Sequence, residues 1–547
     1  MILHSEELIR EYTEKGYWGN TTLLDIFYEN VEKHPDREAV VDPPNREELV
    51  GGKPERISYS KLLKAVNSVA AELQDVGVGK DSIVLVQLPN VWELAMLYLA
   101  IAKAGGIISP MPMQWRQREL SYIAKLTGSK HYITVEEFKG FRHADVGKEF
   151  VENVILLEDI RDFSRAGRKP EDVEIDANEI FTICWTSGTE ADPKGCPLSH
   201  NNWLWAAKNL ARVFGVQEGD RQLCVAPLVN MTAIGVNYIS WLYTAGTLVL
   251  HHPFNPEICL KQLVEENINF TILVPAVLAM ILKYPGIENY DLSKVRTIST
   301  GSAPPAEWVM REFKKRWGIE IINIWGQNEG TALVAGPDDV PDLAKRVDHF
   351  PWWGKEGCDW RSGVKGVETK IVDFDGKELT KPGSVGELLY RSPFTIPCYF
   401  NRPDLTEKAF VEIDGKRFFR TGDLFIIKDE CHIGFYDRKK DIIIRGGFNI
   451  SSAEIENILL EHPKVLEVAA VGMPDEVLGE RVCVFVVPKG EAPTLEELRE
   501  FMKEKGVAVY KLPERLEIID RIPRNPVGKI LKSELKRLLI ERLKGKN

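Results

Sequence analysis

A run of small hydroxyl residues and glycines that ends in a lysine lies at residues 186–195. Its sequence is Thr-Ser-Gly-Thr-Glu-Ala-Asp-Pro-Lys-Gly. Glycine lets backbone N–H groups approach an anion, hydroxyl groups donate hydrogen bonds, and the lysine adds positive charge, so the run could hold a phosphate. The spacing is not that of a Walker A loop. On composition alone the segment is either a phosphate-binding loop or an ordinary surface turn.

The elements around this run predict an α/β fold. Residues Ile180–Trp185 form an apolar strand that leads directly into it. Upstream, apolar residues at helical spacing predict a helix over 60–76, a short apolar run predicts a strand over 82–88, and Trp92–Lys103 is again helical. Alternating strands and helices indicate layered, mostly mixed or parallel sheets with helices. These elements would form a large N-terminal domain.

The last hundred residues predict a separate, smaller α+β domain. Ser451 with Glu454, and Thr494 with Glu497, have the capping-box spacing that begins a helix. Apolar runs predict strands over 465–471, 481–487 and 516–519. Residues 501–547 have 13 Lys and Arg against 6 Asp and Glu. That stretch is either a solvated basic tail or a surface that meets phosphates.

Composition excludes several classes of protein. The chain has 547 residues, 44% of them hydrophobic and 28% charged, which excludes general disorder and a fibrous fold and requires several structural units. A net charge of −11 argues against a dedicated nucleic-acid binder. No two of the eight cysteines lie within three residues of each other, so we expect reduced thiols in a cytoplasmic enzyme.

Neither a signal peptide nor a membrane span is predicted. The first residues lack a basic segment followed by a long apolar one. Residues 222–250 carry no charge and are long enough to cross a bilayer, but they contain a proline, two asparagines and two glycines. We expect a buried helix there, followed by a buried strand that ends at Leu250.

Several motifs together resemble one family. Residues 186–195 closely resemble the phosphate loop of the adenylate-forming superfamily of acyl-CoA synthetases, adenylation domains and luciferases. Further motifs follow in the family's order: residues 301–305 (Gly-Ser-Ala-Pro-Pro) for adenine, 325–329 (Trp-Gly-Gln-Asn-Glu), 419–424 (Phe-Arg-Thr-Gly-Asp-Leu) for ribose, 437–441 (Asp-Arg-Lys-Lys-Asp) for a hinge, and 523–530 (Pro-Arg-Asn-Pro-Val-Gly-Lys-Ile) for a lysine. They span nearly the whole chain, which therefore resembles AMP-dependent fatty-acid or other carboxylic acid–CoA ligases.

The resemblance implies a ligase reaction in two steps. ATP and a carboxylate would give an acyl-adenylate and pyrophosphate, and coenzyme A would then give acyl-CoA and AMP, with Mg²⁺ as cofactor. The first step brings two anions together, so the site must offset negative charge. The resemblance gives that role to Lys529. Glu329 resembles the family's magnesium-binding glutamate, which Thr189 would assist.

The same resemblance implies an ATP site. Asp423 would accept hydrogen bonds from both ribose hydroxyls, Arg438 would donate to the ribose or a phosphate, and Trp325 would flank the adenine. The full expected set is Thr186, Ser187, Gly188, Thr189, Lys194, Gly301, Ser302, Trp325, Gly326, Gln327, Asn328, Asp423, Arg438 and Lys529.

The domain arrangement and the coenzyme site are also implied by the resemblance. An N-terminal ATP- and acyl-binding domain would span residues 1–437, a hinge 438–440, and a mobile lid domain 441–547. Lys440 would be the hinge residue, unless it is simply an exposed lysine in a charged run. The expected coenzyme A contacts are Gly446, Gly447, Phe448, Tyr510 and Lys511.

Departures from the family pattern bear on the substrate. Glu190 and Ala191 replace threonine and glycine, Asn328 replaces a threonine, and Asn230 stands where many synthetases have histidine. We expect the Asn328 amide to hydrogen-bond phosphate. Tryptophans within residues 345–365 either pack in the core or shape a substrate or partner surface.

The expected acyl pocket favours an aliphatic acid. It lacks the aspartate of amino-acid-activating domains and the His-Asn pair of salicylate-type activators, and Gly326 leaves room where acetate-specific enzymes have tryptophan. A medium-chain, branched or hydroxylated aliphatic acid is therefore the first choice. The residues expected to line the pocket are Asn230, Met231, Ile234, Gly326 and Leu333.

Other functions stay open. A stand-alone adenylation enzyme could load an aryl or acyl group on a carrier protein, and a non-catalytic homologue could bind a ligand as a sensor. The family's catalytic lysine and glutamate, present as Lys529 and Glu329, count against the sensor. The expected partners are a small carboxylate, ATP and coenzyme A, and no nucleic acid is expected. The protein could be a monomer or a homo-oligomer.

Overall fold

The computed structural model of the chain describes residues 1–186, 192–524 and 530–544. It divides into two compact units. The described residues of unit 1 are 1–186, 192–369 and 390–419, and those of unit 2 are 370–389, 420–524 and 530–544. The predicted α/β class, with a large N-terminal domain and a smaller C-terminal one, is confirmed. The boundaries at residues 437 and 441 stay a prediction.

The helices alternate with strands through most of the described chain. The α-helices are α1 (Glu6–Glu14), α2 (Leu23–Lys33), α3 (Arg46–Val50), α4 (Tyr59–Asp75), α5 (Trp92–Lys103), α6 (Gln117–Thr127), α7 (His143–Gly147), α8 (Leu157–Arg165), α9 (His200–Val213), α10 (Ile239–Tyr243), α11 (Pro256–Glu265), α12 (Pro275–Leu282), α13 (Glu307–Trp317), α14 (Leu343–Arg346), α15 (Pro403–Ala409), α16 (Ser452–Leu459), α17 (Leu495–Glu504) and α18 (Lys532–Lys544). A π-helix, Thr232–Tyr238, runs directly into α10.

The strands are short and mostly buried. They are β1 (Glu38–Val41), β2 (Arg56–Ser58), β3 (Ile83–Gln87), β4 (Ile107–Pro110), β5 (His131–Thr134), β6 (Asn153–Leu156), β7 (Ile180–Trp185), β8 (Gly195–Ser199), β9 (Arg221–Cys224), β10 (Thr247–Leu250), β11 (Phe270–Ile272), β12 (Thr297–Gly301), β13 (Glu320–Gln327), β14 (Thr331–Ala335), β15 (Phe350–Pro351), β16 (Glu368–Val372), β17 (Val385–Arg391), β18 (Phe410–Ile413), β19 (Lys416–Ile427), β20 (His432–Arg438), β21 (Ile443–Arg445), β22 (Phe448–Ile450), β23 (Val465–Asp475), β24 (Gly479–Pro488) and β25 (Arg515–Ile518).

Two mixed sheets form the framework of unit 1. One has the order β14-β13-β12-β11-β9-β10-β1-β2 and the other β6-β5-β3-β4-β7-β8. Their inner strands are parallel, and antiparallel strands β2, β14 and β8 lie at the edges. All six residues of β7 are buried, as a strand covered on both faces requires. Parallel strands place their carboxyl ends at one edge of the sheet, where α/β proteins bind ligands.

Unit 2 contains its own five-stranded sheet. Its order is β22-β21-β24-β23, with β25 parallel to β24. Apolar clusters cover both faces of β23 and β24, so this sheet has a core of its own. Farther upstream in unit 2, β19 and β20 pair antiparallel from Asp423↔Arg438 to Ile427↔Ile433.

The predicted elements are present, most of them within a residue or two, although the strand predicted over 465–471 continues to Asp475 as β23. The helix predicted over 60–76 is α4, the strand over 82–88 is β3, and Trp92–Lys103 and Ile180–Trp185 have the predicted bounds. Ser451 and Thr494 both cap helices with their side chains. Within residues 222–250, the first three complete β9, and a buried helix and a strand ending at Leu250 follow, as expected, although the helix begins as a π-helix. Across the described ranges, no helix is both long and apolar enough to cross a membrane.

The expectation of reduced cysteines holds for six of the eight. The free thiols are Cys184, Cys196, Cys224, Cys259, Cys398 and Cys483. For Cys358 and Cys431 the expectation is wrong, since both are disulfide-bonded.

Candidate active site

The run at residues 186–195 joins two antiparallel strands. Trp185, at the end of β7, pairs with Gly195, at the start of β8. Thr186 donates its N–H to the carbonyl oxygen of Lys194 across 3.0 Å. Lys194 in turn donates its N–H to Oγ1 of Thr186 across 3.2 Å. The two ends of the loop are therefore closed on each other.

Several predicted site residues lie outside the described residues. They are Ser187, Gly188, Thr189, Glu190, Ala191 and Lys529.

Asn328 connects this loop to the predicted acyl pocket. Its Nδ2 donates to the carbonyl oxygen of Trp185 across 2.8 Å. Its Oδ1 accepts from the N–H of Met231 across 3.0 Å. The amide expected to meet phosphate thus holds two other segments together, and one N–H of its NH₂ group remains for another acceptor.

Glu329 lies at the end of a short chain of hydrogen-bonded side chains, with Tyr399 at its centre and Lys194 at the other end. Tyr399 donates its hydroxyl to Oε1 of Glu329 across 2.8 Å. Lys194 donates to the Tyr399 hydroxyl oxygen across 3.1 Å, and its Nζ lies 4.4 Å from the Tyr399 ring centroid. Tyr399 is 3% exposed and Glu329 8%. Burial, and next the charge of Glu329, raise the pKa of the Tyr399 phenol, so it stays a donor at neutral pH.

Backbone hydrogen bonds hold the segment at residues 394–400 against Glu329 on one side and Gly195 on the other. Ile396 donates its N–H to the carbonyl oxygen of Glu329 across 3.0 Å, and Phe400 donates to that of Gly195 across 2.9 Å. Gly330 has φ +75°, and a Cβ there would lie 1.9 Å from the carbonyl oxygen of Phe394. Only glycine fits this contact.

The predicted adenine pocket lies at the ends of two parallel strands. Gly301 pairs with Ile324 across β12 and β13, and a Cβ on Gly301 would lie 2.6 Å from the Ile324 carbonyl oxygen. Ser302 follows with φ +73°, a left-handed conformation that is rare outside glycine and concentrated at functional sites. Trp325 is 9% exposed, and its ring lies 6.4 Å from that of Tyr390.

The predicted acyl-pocket residues divide between two faces. In the antiparallel pair β13–β14, Gly326 is opposite Ala332 and Trp325 is opposite Leu333. Because side chains alternate along a strand, Leu333 lies on the face away from Gly326. Leu333 is also fully buried, so the structure does not bring these two residues to one surface.

The other expected lining residues belong to one helical segment. Asn230 accepts a hydrogen bond from the N–H of Ala233 through Oδ1 (3.2 Å) and from Ile234 through its carbonyl oxygen. Asn230 therefore anchors the start of the π-helix, while Ile234 is buried within it. π-helical turns are rare in proteins overall, and those that occur are frequently found at functional sites.

The predicted ribose residues lie together in unit 2. Asp423 and Arg438 are cross-strand neighbours, with 3.9 Å between Oδ1 and Nε. Asp423 is 6% exposed, whereas the Arg438 side chain is about one-third exposed. Lys440 follows in an exposed turn between β20 and β21.

The predicted coenzyme A residues also cluster in unit 2. Gly446 and Gly447 have left-handed φ values and turn the chain between β21 and β22. Phe448 stacks on Tyr510 with ring centroids 4.5 Å apart. Lys511 donates to both carboxylate oxygens of Glu454 across 2.7 Å, so its ammonium already has a partner.

The donor set near Glu329 fits magnesium better than a transition metal. Within residues 1–186, 192–524 and 530–544, no three His, Cys, Asp or Glu side chains come together as metal ligands. Magnesium takes one or two carboxylates plus substrate phosphates, and Glu329 with one oxygen held by Tyr399 meets that requirement.

Sequence reasoning missed Tyr399. It is separated from Glu329 by 70 residues, and no spacing rule joins the two. A tyrosine within the run Cys398-Tyr399-Phe400 reads as core packing, and only the tertiary contact distinguishes it.

Comparisons with known proteins place the chain in one family. The family described as AMP-binding enzyme matches residues 27–400, and its C-terminal domain matches residues 454–529. The chain belongs to this family of adenylate-forming enzymes.

The similar proteins include both kinds of ligase. A medium-chain fatty-acid–CoA ligase of Escherichia coli K12 is 30% identical over 99% of this chain and 94% of its own length. A 2,3-dihydroxybenzoate-AMP ligase of Bacillus subtilis is 27% identical over 98% of this chain and 97% of its own. The ATP-bound MatB structure from Rhodopseudomonas palustris, 24% identical, has the same fold, with a TM-score of 0.80 over 95% of this chain and 99% of that one.

Proposed function

We propose that the protein is an AMP-forming carboxylic acid–CoA ligase acting on a medium-chain, branched or hydroxylated aliphatic acid. The observation that carries the proposal is the meeting of the phosphate-loop ends, Asn328 and Glu329 in one place. Asn328 bonds both Trp185 and Met231, so it joins the nucleotide end of the site to the acyl end. An acyl-adenylate needs both ends at once.

The adenylation step depends on offsetting negative charge. A carboxylate would attack the α-phosphate of ATP, forming a C–O–P link, and pyrophosphate would leave with the electron pair of the broken P–O bond. Lys194, held at the exit of the phosphate loop, would place positive charge near the phosphates, and Lys529 would do so between the two reacting anions. Asp423 and Arg438 would hold the ribose.

Magnesium would be held by Glu329 and Thr189, and would supply positive charge to the triphosphate. The Tyr399 hydroxyl holds Oε1 of Glu329 in a buried position, so the carboxylate needs little rearrangement when nucleotide arrives. Thr186 and Lys194 keep the loop ends closed through two hydrogen bonds, one between their backbones and one from the Lys194 N–H to Oγ1 of Thr186.

The pocket residues support an apolar acid. Met231 is apolar and partly exposed, and Gly326 leaves an exposed position without a side chain. Asn230 uses its Oδ1 on Ala233, which limits it as a substrate acceptor. A single methylene in such a pocket is worth about 1–3 kcal/mol, so several related acids would be used.

Carrier loading is the second candidate, and one comparison favours it. The relative from Bacillus subtilis is named as an AMP ligase for an aromatic acid and matches nearly the whole chain. Asn230 and Met231 argue against an aromatic hydroxy acid as substrate. The resemblance leads us to expect a His-Asn pair at these two positions in enzymes that activate such acids. The relative from Escherichia coli, named as a CoA ligase, supports the first candidate.

The test is pyrophosphate and AMP release across C2 to C10, branched, hydroxy and aryl acids, with and without coenzyme A. We expect coenzyme-dependent turnover on a C4–C10 aliphatic acid. Pyrophosphate release without a thioester would favour carrier loading, and turnover restricted to aryl acids would contradict the substrate proposal. Silence on every acid, with ATP bound, would favour the non-catalytic sensor.

A further inference from the structure

We propose that Tyr399 is a positioning residue that orients Glu329 for magnesium-bound ATP, and that Lys194 acts on Glu329 through the Tyr399 hydroxyl. The inference rests on the proposed function, because it requires the nucleotide and its metal to meet Glu329.

The direction of the hydrogen bonds in this chain is fixed by chemistry. An ammonium only donates and a carboxylate only accepts. The Tyr399 hydroxyl therefore accepts from Lys194 across 3.1 Å and gives its own proton to Oε1 of Glu329 across 2.8 Å. Donation by a charged group polarises the hydroxyl and strengthens the bond that it donates.

The hydroxyl occupies one oxygen of Glu329 and leaves the other. Among the described residues, Tyr399 is the side chain that bonds the Glu329 carboxylate, through Oε1 alone. Oε2 is then the oxygen that would bind the metal, with its direction set by the bond to Oε1. Hydrogen bonds to metal-binding carboxylates commonly set ligand geometry in this way.

The Tyr399 backbone is held firmly enough to act as such a support. Its N–H donates to Oγ1 of Thr406 across 3.0 Å. On either side, Ile396 is bonded to the Glu329 carbonyl and Phe400 to the Gly195 carbonyl. The segment at 394–400 thus spans from Glu329 to the residue after Lys194, and its tyrosine reaches both side chains.

A purely structural role for Tyr399 makes a different prediction. The ring packs edge-on to Phe419 with centroids 6.5 Å apart, and phenylalanine would keep that contact. If packing were the whole role, Tyr399→Phe would leave the affinity for magnesium unchanged. If the hydroxyl positions Glu329, the same substitution weakens that affinity.

The experiment is calorimetric binding of α,β-methylene-ATP to the full-length protein at a series of Mg²⁺ concentrations. For Tyr399→Phe we expect the Mg²⁺ concentration at half-maximal binding to rise about 10-fold or more, with smaller change at saturating Mg²⁺. Tyr59→Phe is the matched control, since Tyr59 is a buried tyrosine whose hydroxyl donates to the carbonyl oxygen of Gly246. It should bind like wild type.

A double variant shows whether Tyr399 acts through Glu329. In a Glu329→Gln background the Tyr399→Phe change should add little, because the group that it orients is already altered. An unchanged Mg²⁺ requirement in Tyr399→Phe, or full additivity with Glu329→Gln, would overturn the inference. Failure of the wild-type protein to bind the analogue with Mg²⁺ would instead contradict the proposed function.

Discussion

Asn328 donates a hydrogen bond to the carbonyl oxygen of Trp185 across 2.8 Å, which ties the residue before Glu329 to the strand that leads into the predicted phosphate loop. The same side chain receives the N–H of Met231 at the start of the predicted acyl pocket. A residue that departs from the family pattern therefore links the predicted phosphate loop to the predicted acyl pocket.

Asn328→Ala should weaken the use of both substrates. The change leaves the Trp185 carbonyl and the Met231 N–H without this partner, at about 1–3 kcal/mol for a buried group. We expect the KM values for ATP and for the acid to rise together by about 10-fold.

Asn323→Ala is the matched control for that variant. Asn323 is on the same strand, β13, is 3% exposed, and donates to the carbonyl oxygens of Arg346 and Val347. It should lower the thermal midpoint while leaving both KM values unchanged. An Asn328→Ala enzyme in which only one KM rises would show that the side chain does not join the two sites.

Asp423→Asn should weaken nucleotide binding. Hydrogen bonds to a charged group are worth about 1.5–3 kcal/mol, so the ATP dissociation constant should rise about 10-fold or more by calorimetry. Asp429→Asn is the control, because Asp429 is also in unit 2 and bonds His432 within a turn. Wild-type ATP affinity in Asp423→Asn would mean that the ribose binds elsewhere.

Gly326→Trp should shorten the range of acids. Gly326 is exposed, and an added Cβ would lie 3.0 Å from the Thr331 carbonyl oxygen, so a large side chain must extend away from β14. We expect kcat/KM for C6–C10 acids to fall at least about 10-fold while acetate is retained or improved. Retained turnover on acetate shows that the variant folds, and unchanged use of long acids would place the pocket elsewhere.

Acid pH should destabilise unit 1 through His200. The ring is 2% exposed, its Nδ1 accepts from the N–H of Leu23 across 3.2 Å, and burial lowers its pKa from 6.5 to about 4. The folded pKa is below the unfolded one, so the stabilisation is complete above pH 6.5 and is lost as the pH falls towards 4. A shift of that size corresponds to about 3 kcal/mol.

The measurement is the thermal midpoint at pH 7.5 and at pH 5. Asn cannot titrate and still offers an acceptor to Leu23, so the midpoint of His200→Asn should fall less between the two pH values than that of wild type. His34→Asn, at a partly exposed histidine beside Glu218, should behave like wild type. Equal falls in His200→Asn and wild type would contradict the assignment.

The sequence predicted the elements whose signal is local. α5 and β7 are apolar at nearly every position, and both are buried on all faces. The face of the sheet on which Leu333 lies could not be read from the sequence, because it depends on the register of β13 against β14. A π-helix at Thr232–Tyr238 has no sequence rule that separates it from an α-helix.

The site was predicted where a motif is continuous and missed where it is assembled by tertiary contacts. Glu329 and Asp423 were predicted as site residues because their neighbours carry the family pattern, and their roles stay predictions. Tyr399 was not, because its role depends on contacts with Lys194 and Glu329, which come from distant parts of the chain.

The close contact between Gly330 and the backbone of Phe394 limits which residues of this protein can change during evolution. A single methyl group at residue 330 would collide with the backbone of the opposite segment, so this position cannot change by stepwise substitution. Met231, which directly precedes the π-helix, has no such constraint, because its side chain is partly exposed. Under the proposed function, new acid preferences would therefore evolve through substitutions at residues such as Met231, while residue 330 stays glycine.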